Sequence, residues 1–322
     1  MSNDVQFCLS RTSQLSPERK WDFERIFEAT FQKGKTVEAF DHQFRSPDGR
    51  DSYHVYAMQD GKMVAIYSFL PCRYMVNGKP MLFALGCDSI VTKEANLGIG
   101  GLLKMYKLAE KEMIRDGISF FFGVPNDNYY EYVKNILKLK EICILDFYLL
   151  PLNPGKIVRC LRFADCFCRS LFPFLMQFRA WVASSKKITR RVEKVNDELF
   201  IRQRYGTMHH FLKLPDGSTA VYTVYSEEKM DVAYLVDLSS LSAKNFYQAM
   251  AMVGKAVNDK AAVVAYPCNR LPFHSFLRVP QKLLPRKLHF LGRFLQKEDE
   301  EKFPEFRDGK NWNMNLSNFD VR

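Results

Sequence analysis

The sequence has no apolar run near the roughly 20 residues that a membrane-spanning helix needs. Met1 to Ser16 is polar and lacks the apolar stretch of a secretory signal, so the expected address is the cytoplasm. Paired Cys-x-x-Cys spacing is missing. Cys160, Cys166 and Cys168 crowd together with no His nearby, and His209-His210 stands apart from carboxylates and cysteines, so no metal site is expected. The absence of a Gly-x-Ser-x-Gly elbow argues against the common hydrolase route. With no secretory signal, the eight cysteines read as free thiols, mostly small buried side chains, and not as a disulfide framework.

What is present describes a globular chain. At 322 residues, with 47% hydrophobic and 26% charged residues, it is long enough for two domains and too apolar for disorder. The 47 Lys and Arg exceed the 36 Asp and Glu by 11. Residues 156–194 alone hold ten basic residues against Asp165 and Glu193, an excess of eight. Such a patch suits nucleic acid, anionic lipid or a polyanionic small molecule, and net charge does not choose among them.

Ser16-Pro17 marks a helix start before Trp21, Phe23, Ile26, Phe27 and Phe31, with Gly34 as its stop. After the turn signal Ser46-Pro47-Asp48-Gly49 come three strands, Tyr53 to Met58, Met63 to Met75 and Pro80 to Val91. Asp60-Gly61 and Asn77-Gly78 join them, dipeptides that supply the positive φ of tight hairpins. At Leu97-Gly98-Ile99-Gly100-Gly101 the pattern becomes helical and runs to Gly117. Ile118 to Val124 reads as a buried strand, Tyr129 to Ile136 as a helix, and Ile142 to Leu150 as one further strand.

The basic segment alternates apolar and cationic residues at helical spacing. It reads either as a helical linker between domains or as an amphipathic helix touching anionic lipid, with Pro173 expected to interrupt any single long helix. Beyond Asp197 the expected order is strands at Ser218 to Tyr225 and Val232 to Leu238, a helix at Ser242 to Val257, and strands at Ala261 to Tyr266 and Lys287 to Leu295. Val263 to Asn269 echoes Phe121 to Asn126, which suggests an internal duplication.

A strand entering a helix through glycines offers unpaired N–H groups and the positive end of a helix dipole, a setting for phosphate. No Gly-Lys-Ser/Thr follows, so this is not a P-loop, and the hairpin-linked strands before it do not fit a dinucleotide fold. The order and spacing of residues 16–150 instead resemble the GNAT superfamily of acyl-CoA N-acyltransferases. That family's pyrophosphate loop, Arg/Gln-x-x-Gly-x-Gly/Ala, falls on Ala95 to Gly100, with Ala95 in the first place.

The resemblance implies a cofactor site formed by Ile90, Val91, Asn96, Leu97, Gly98, Ile99, Gly100, Gly101 and Asn126, with acetyl-CoA as cosubstrate. It also implies that Tyr132, six residues after Asn126, protonates the departing thiolate, and that Asp88 is the best carboxylate for a base. Lys93 and Lys104 could neutralise phosphates. The Gly-Phe pair that often closes this block in the family is replaced by Ile136-Leu137.

The expected fold class is therefore α/β (α+β by some schemes), with a mixed, mostly antiparallel sheet flanked by helices and two GNAT-like domains in tandem. The expected division is a first domain at 1–155, a basic linker at 156–194 and a degenerate second copy at 195–322. In that copy Asp237 to Ser242 stands where a glycine loop would be needed, and Ser242 reads as an N-cap. The expected activity is acetyl transfer to an amine of a small metabolite, an amino sugar for example. Two alternatives stay open: transfer from aminoacyl-tRNA, the case in which nucleic acid becomes a partner, and a non-catalytic binding protein with a degenerate acyl-CoA site. Weak contact of 156–194 with anionic membrane belongs to the same reading.

Overall fold

A computed structural model of the chain describes residues 5–31, 37–46, 49–93, 95, 97–227, 230–284 and 286–319. Gly34, Pro47, Asp48 and Asn96, used above, lie outside them. In chain order the elements begin with β1 (Gln6–Arg11), α1 (Pro17–Phe31), α2 (Val37–Gln43), β2 (Tyr53–Gln59), β3 (Lys62–Val76) and β4 (Lys79–Val91). Then come α3 (Gly98–Arg115), β5 (Ile118–Gly123), α4 (Asp127–Asn135), β6 (Lys140–Ile144), β7 (Asp146–Pro151) and α5 (Asp165–Val182). The remainder holds β8 (Val192–Lys194), α6 (Glu198–Arg204), β9 (His210–Lys213), β10 (Thr219–Ser226), β11 (Asp231–Leu238), α7 (Ala243–Val257), β12 (Val263–Cys268), β13 (Arg278–Val279) and β14 (His289–Phe294).

The hairpins form as their turn residues require. Asp60 and Gly61 take φ of 51° and 75°, Asn77 and Gly78 take 50° and 79°, and β2, β3 and β4 pair antiparallel on either side. In the first sheet the order is β1-β2-β3-β4-β5-β14-β6, with β4 and β5 parallel across the α3 crossover. The second sheet runs β13-β7-β12-β11-β10-β9, with β11 and β12 parallel across α7. An antiparallel hairpin feeding one parallel crossover thus occurs twice, so the repeat suggested by Val263 to Asn269 is a repeat of topology.

The strand beside each parallel pair comes from a distant part of the chain. β14 pairs antiparallel with β5 in the first sheet, and β7 with β12 in the second. The single strand expected at Ile142 to Leu150 is therefore two, parted at the buried Leu145 and belonging to different sheets. The strand expected at Lys287 to Leu295 exists, but it completes the first sheet. Arg293 of β14 bonds the hydroxyl of Tyr106 on α3 at 2.9 Å and pairs with Glu110. In the second sheet Arg278 of β13 grips the buried carboxylate of Asp146 on β7 at 2.8 and 3.0 Å.

Two compact units result: Met1–Cys143 with Arg191–Arg204 and Leu288–Asp308, and Ile144–Arg190 with Tyr205–Lys287 and Gly309–Arg322. They cut the chain elsewhere than the expected 1–155, 156–194 and 195–322. The physical reason is the destination of two segments. β8, inside the expected linker, pairs with β3, while α5 inserts Met176 and Ala180 into the second unit's core. Pro173 does not interrupt α5. It faces inward, where Gly254 of α7 would bring a Cβ within 3.4 Å of the proline ring, so the missing N–H is offset by close helix packing.

Candidate active site

Between β4 and β5 the parallel register runs from Leu82↔Ile118 to Leu85↔Phe122 and then stops. β5 ends at Gly123, while β4 continues to Val91 against β3. The departure has a local cause. A bulge sets Cys87 opposite Ser68 and Ile90 opposite Ile66, so Asp88 and Ser89 share the place facing Tyr67, and Asp88 takes φ 46°. A bulge of this kind bends its strand and increases its twist. The sheet is thereby opened on one side of Gly86 to Val91, the stretch that holds the expected contacts Ile90 and Val91.

β4 delivers the chain into α3. Gly98 begins the helix with φ 54°, a conformation that suits glycine, and no atom lies within 4 Å of a Cβ built at Gly98 or Gly100. Gly101 has a different reason, since its Cβ would meet that of Leu97 at 2.9 Å. The N–H of Gly101 bonds the Leu97 carbonyl at 3.0 Å, closing the first turn. Among the described residues no group meets the N–H groups of Gly98, Ile99 and Gly100, all of them exposed. The result is an open, positively polarised helix end suited to phosphate oxygens. Lys93 is exposed nearby in sequence, whereas Lys104 lies over the Phe7 ring at 5.7 Å.

The corresponding helix end in the second unit is closed. Ser242 caps α7 by accepting from the N–H of Asn245 at 3.0 Å, and the N–H of Lys244 bonds the Ser184 carbonyl at 3.1 Å. The two copies thus differ in whether their crossover helix has donors to offer.

Asn126 caps α4, its side chain accepting from the N–H of Tyr129 at 3.0 Å, and so fixes where that helix starts. Tyr132 follows on α4, stacked on Tyr129 with ring centroids 4.9 Å apart, and Tyr129 meets Tyr67 edge-on at 6.3 Å. Three phenols therefore lead from α4 to the strand opposite the bulge. The Tyr132 hydroxyl is shut from solvent and has no hydrogen-bond partner among the described residues. Burial pushes its pKa up to about 12, so it carries its proton at neutral pH. Tyr67 and Tyr129 are pushed up by burial as well.

Asp88 sits at the bulge, half-buried, with one carboxylate oxygen receiving the amide of Gln43 at 2.6 Å. Tyr67, Tyr129, Gln43 and the buried hydroxyl of Thr92, which lacks a partner among the described residues, were not singled out from the sequence. Tyr residues inside strand and helix patterns read as core. Here Tyr67 faces the bulge across the β3–β4 pair and Tyr129 packs on Tyr67, and nothing in the composition around Asp88 announces a left-handed residue.

Other constellations fall away from this site. Cys72, Cys168 and Cys268 are buried but Cys160 and Cys166 are exposed, so the thiols are less buried than expected. Among the described residues no group of three or more His, Cys, Asp or Glu could hold a metal ion. A cavity of 920 Å³ in the second unit is lined by Arg190, Arg270, Arg278 and Lys310 beside Phe273 and Phe276. It contains none of the expected site residues.

No family model matches the sequence, and no curated protein matches it. Solved structures do. A GCN5-related N-acetyltransferase from Kribbella flavida is 14% identical, the match covering 90% of this chain and 71% of that one with a TM-score of 0.55. Another from Anabaena variabilis is 11% identical, with 90% and 73% coverage and the same score of 0.55. The Saccharomyces cerevisiae N-myristoyltransferase, solved with myristoyl-CoA bound, is 13% identical and matches 92% of this chain and 83% of its own at 0.55. At such identities the likeness is one of fold. The chain has a GNAT-like fold, as the order of its elements led one to expect, and its crossover topology occurs twice.

Proposed function

We propose that the chain is an N-acyltransferase that binds an acyl-CoA in its first unit and moves the acyl group to an amine of a small metabolite. The observation that carries this reading is the pair of unlike helix ends. Among the described residues nothing meets the N–H groups of Gly98, Ile99 and Gly100, which are exposed residues, whereas α7 is capped by Ser242 and Ser184. In this reading the open amides hold the diphosphate, and the β4 edge beyond Leu85 hydrogen-bonds the pantetheine arm.

The thioester then lies at the bulge. The acceptor nitrogen forms a bond to the acyl carbon as the carbon–sulfur bond breaks, and the sulfur leaves with the proton of the Tyr132 hydroxyl. The proton lost by the amine goes to a base, for which Asp88 is the nearest carboxylate in the strand. Acid–base help of this kind contributes roughly 10² to 10⁴ in rate.

Close packing under β4 supports a short acyl group. A Cβ built at Gly86 would meet the Phe121 ring at 2.7 Å and the Tyr67 hydroxyl at 3.0 Å, which leaves no slot for a chain entering the sheet there. A short acyl group such as acetyl suits this packing.

The test is a thermal-shift titration with acetyl-CoA, myristoyl-CoA and aminoacyl-tRNA in separate arms. A ligand at 100 times its Kd stabilises by about 2.7 kcal/mol, so a saturating acetyl-CoA arm is expected to raise the melting temperature clearly. Stabilisation by charged tRNA alone would replace this reading with the aminoacyl one. No response to any thioester would leave a binding protein with a closed site.

A further inference from the structure

Of the sixteen large apolar side chains that stand exposed among the described residues, nine lie between Ile157 and Val182. Single exposed apolar residues are ordinary, but a contiguous patch marks an interaction surface. Phe163, Phe167, Phe174, Phe178 and Trp181 follow one another at helical steps, so they share one stripe along α5 and the turn before it. Phe163 is 81% exposed and Trp181 79%. The opposite face carries Cys168, Pro173, Met176 and Ala180, all buried, so the helix is fastened by one side and bare on the other. Because Pro173 points inward, the bare stripe is unbroken.

Charge selects the occupant. Arg159 and Arg162 precede α5, Lys186 and Lys187 follow it, and all four are exposed with no ion pair among the described residues. The acid in this stretch, Asp165, accepts the N–H of Gly155 at 2.7 Å. A protein groove would accept the rings but has no need of free cations at both ends of the helix. An anionic bilayer takes both, rings into the boundary between headgroups and acyl chains and cations onto phosphates.

We propose that α5 docks the chain on an anionic lipid bilayer, lying in the plane of the interface. No helix among the described residues is long and apolar enough to cross a membrane, and α5, with 18 residues, is about 27 Å long. It lies on the surface, with its aromatic stripe down.

The full chain is mixed with vesicles of phosphatidylcholine alone and of phosphatidylcholine and phosphatidylserine in equal parts, then sedimented, while tryptophan emission is followed. Binding is expected to the serine-containing vesicles, weakening as salt rises, with a blue shift in emission that Trp181→Phe abolishes. The control is needed because Trp21 is exposed and Trp312 buried. Phe174→Ser with Trp181→Ser is expected to lower partitioning by at least about tenfold. Arg159→Gln with Arg162→Gln is expected to lower it about thirtyfold on anionic vesicles.

The altered residues are exposed, so melting temperatures are expected to hold, and the emission shift of the unaltered chain reads out docking even if a variant fails to fold. Failure of that chain to sediment with anionic vesicles overturns the proposal. So does partitioning indifferent to the aromatic pair, or a dimer in solution that the aromatic pair dissolves.

Discussion

Replacing Tyr132 by Phe removes a single oxygen, and the structure gives the change opposite signs for stability and for turnover. The oxygen is shut from solvent without a hydrogen-bond partner among the described residues. Leaving a buried polar group unpaired costs about 1–3 kcal/mol, so its removal is expected to stabilise the free protein by about 1 kcal/mol. In a chain of this size that raises the melting temperature by about 2 °C. The six-membered aromatic ring stays, and with it the 4.9 Å stack on Tyr129, so the packing of α4 is expected to hold. Turnover is expected to fall by roughly 10² to 10⁴, with the KM for the acyl donor held, since the lost proton serves only the departing sulfur. With a pKa pushed up to about 12, Tyr132 as the acid is expected to give the parent chain no alkaline fall in kcat below pH 10. The assay pairs a melting curve with steady-state release of free thiol. A variant that is more stable and fully active removes the acid role. One that is less stable shows that the hydroxyl does have a partner, and the reasoning from its isolation is refuted.

Gly100→Asp places a carboxylate in the first turn of α3, in open space, and is expected to stabilise the free chain by about 1 kcal/mol through helix propensity and dipole. The same charge repels a diphosphate, so acetyl-CoA affinity is expected to drop at least about tenfold, read by calorimetry; unchanged affinity would place the thioester elsewhere. His54 is buried between Ser68 and Thr12, each at 2.9 Å, and burial lowers its pKa from 6.5 to about 3. The stability it confers is present above pH 6.5 and is lost as pH falls toward 3, about 2 kcal/mol of it between pH 7 and 5. Urea melts of the parent and of His54→Gln at both pH values should differ by that amount. Gly292→Ala on β14 drives a Cβ to 2.4 Å from the Phe120 ring and 3.1 Å from the Phe121 carbonyl, and is expected to cost about 1–3 kcal/mol in denaturant unfolding. A neutral result would mean that β14 does not lie against β5.

What the sequence discloses and what it hides follow from the range of the interactions involved. The meander was legible because each turn is a dipeptide with one conformational reason, Asp60-Gly61 or Asn77-Gly78, acting between neighbours in the chain. The crossing of β7 and β14 was not, because β6 and β7 are separated by Leu145 alone, and their partners stand more than a hundred residues away. No local pattern tells adjacent short apolar strands that they belong to different sheets. In the sequence Asp88 stands out by its carboxylate, yet the structure also makes it the left-handed residue of a bulge in β4. Tyr67 and Tyr129 gain their interest from that bulge and could not have been chosen without it.

The contrast between the two copies is different, since it is written in single residues whose effect is local. Among the described residues nothing meets the N–H groups of Gly98 and Gly100, whereas Ser242 closes the counterpart helix end with its own hydroxyl. A cap satisfies the donors that a phosphate would need. Duplication of the topology therefore does not duplicate the proposed diphosphate site: on this reading one copy keeps backbone donors to offer while the other has turned them inward on its own chain.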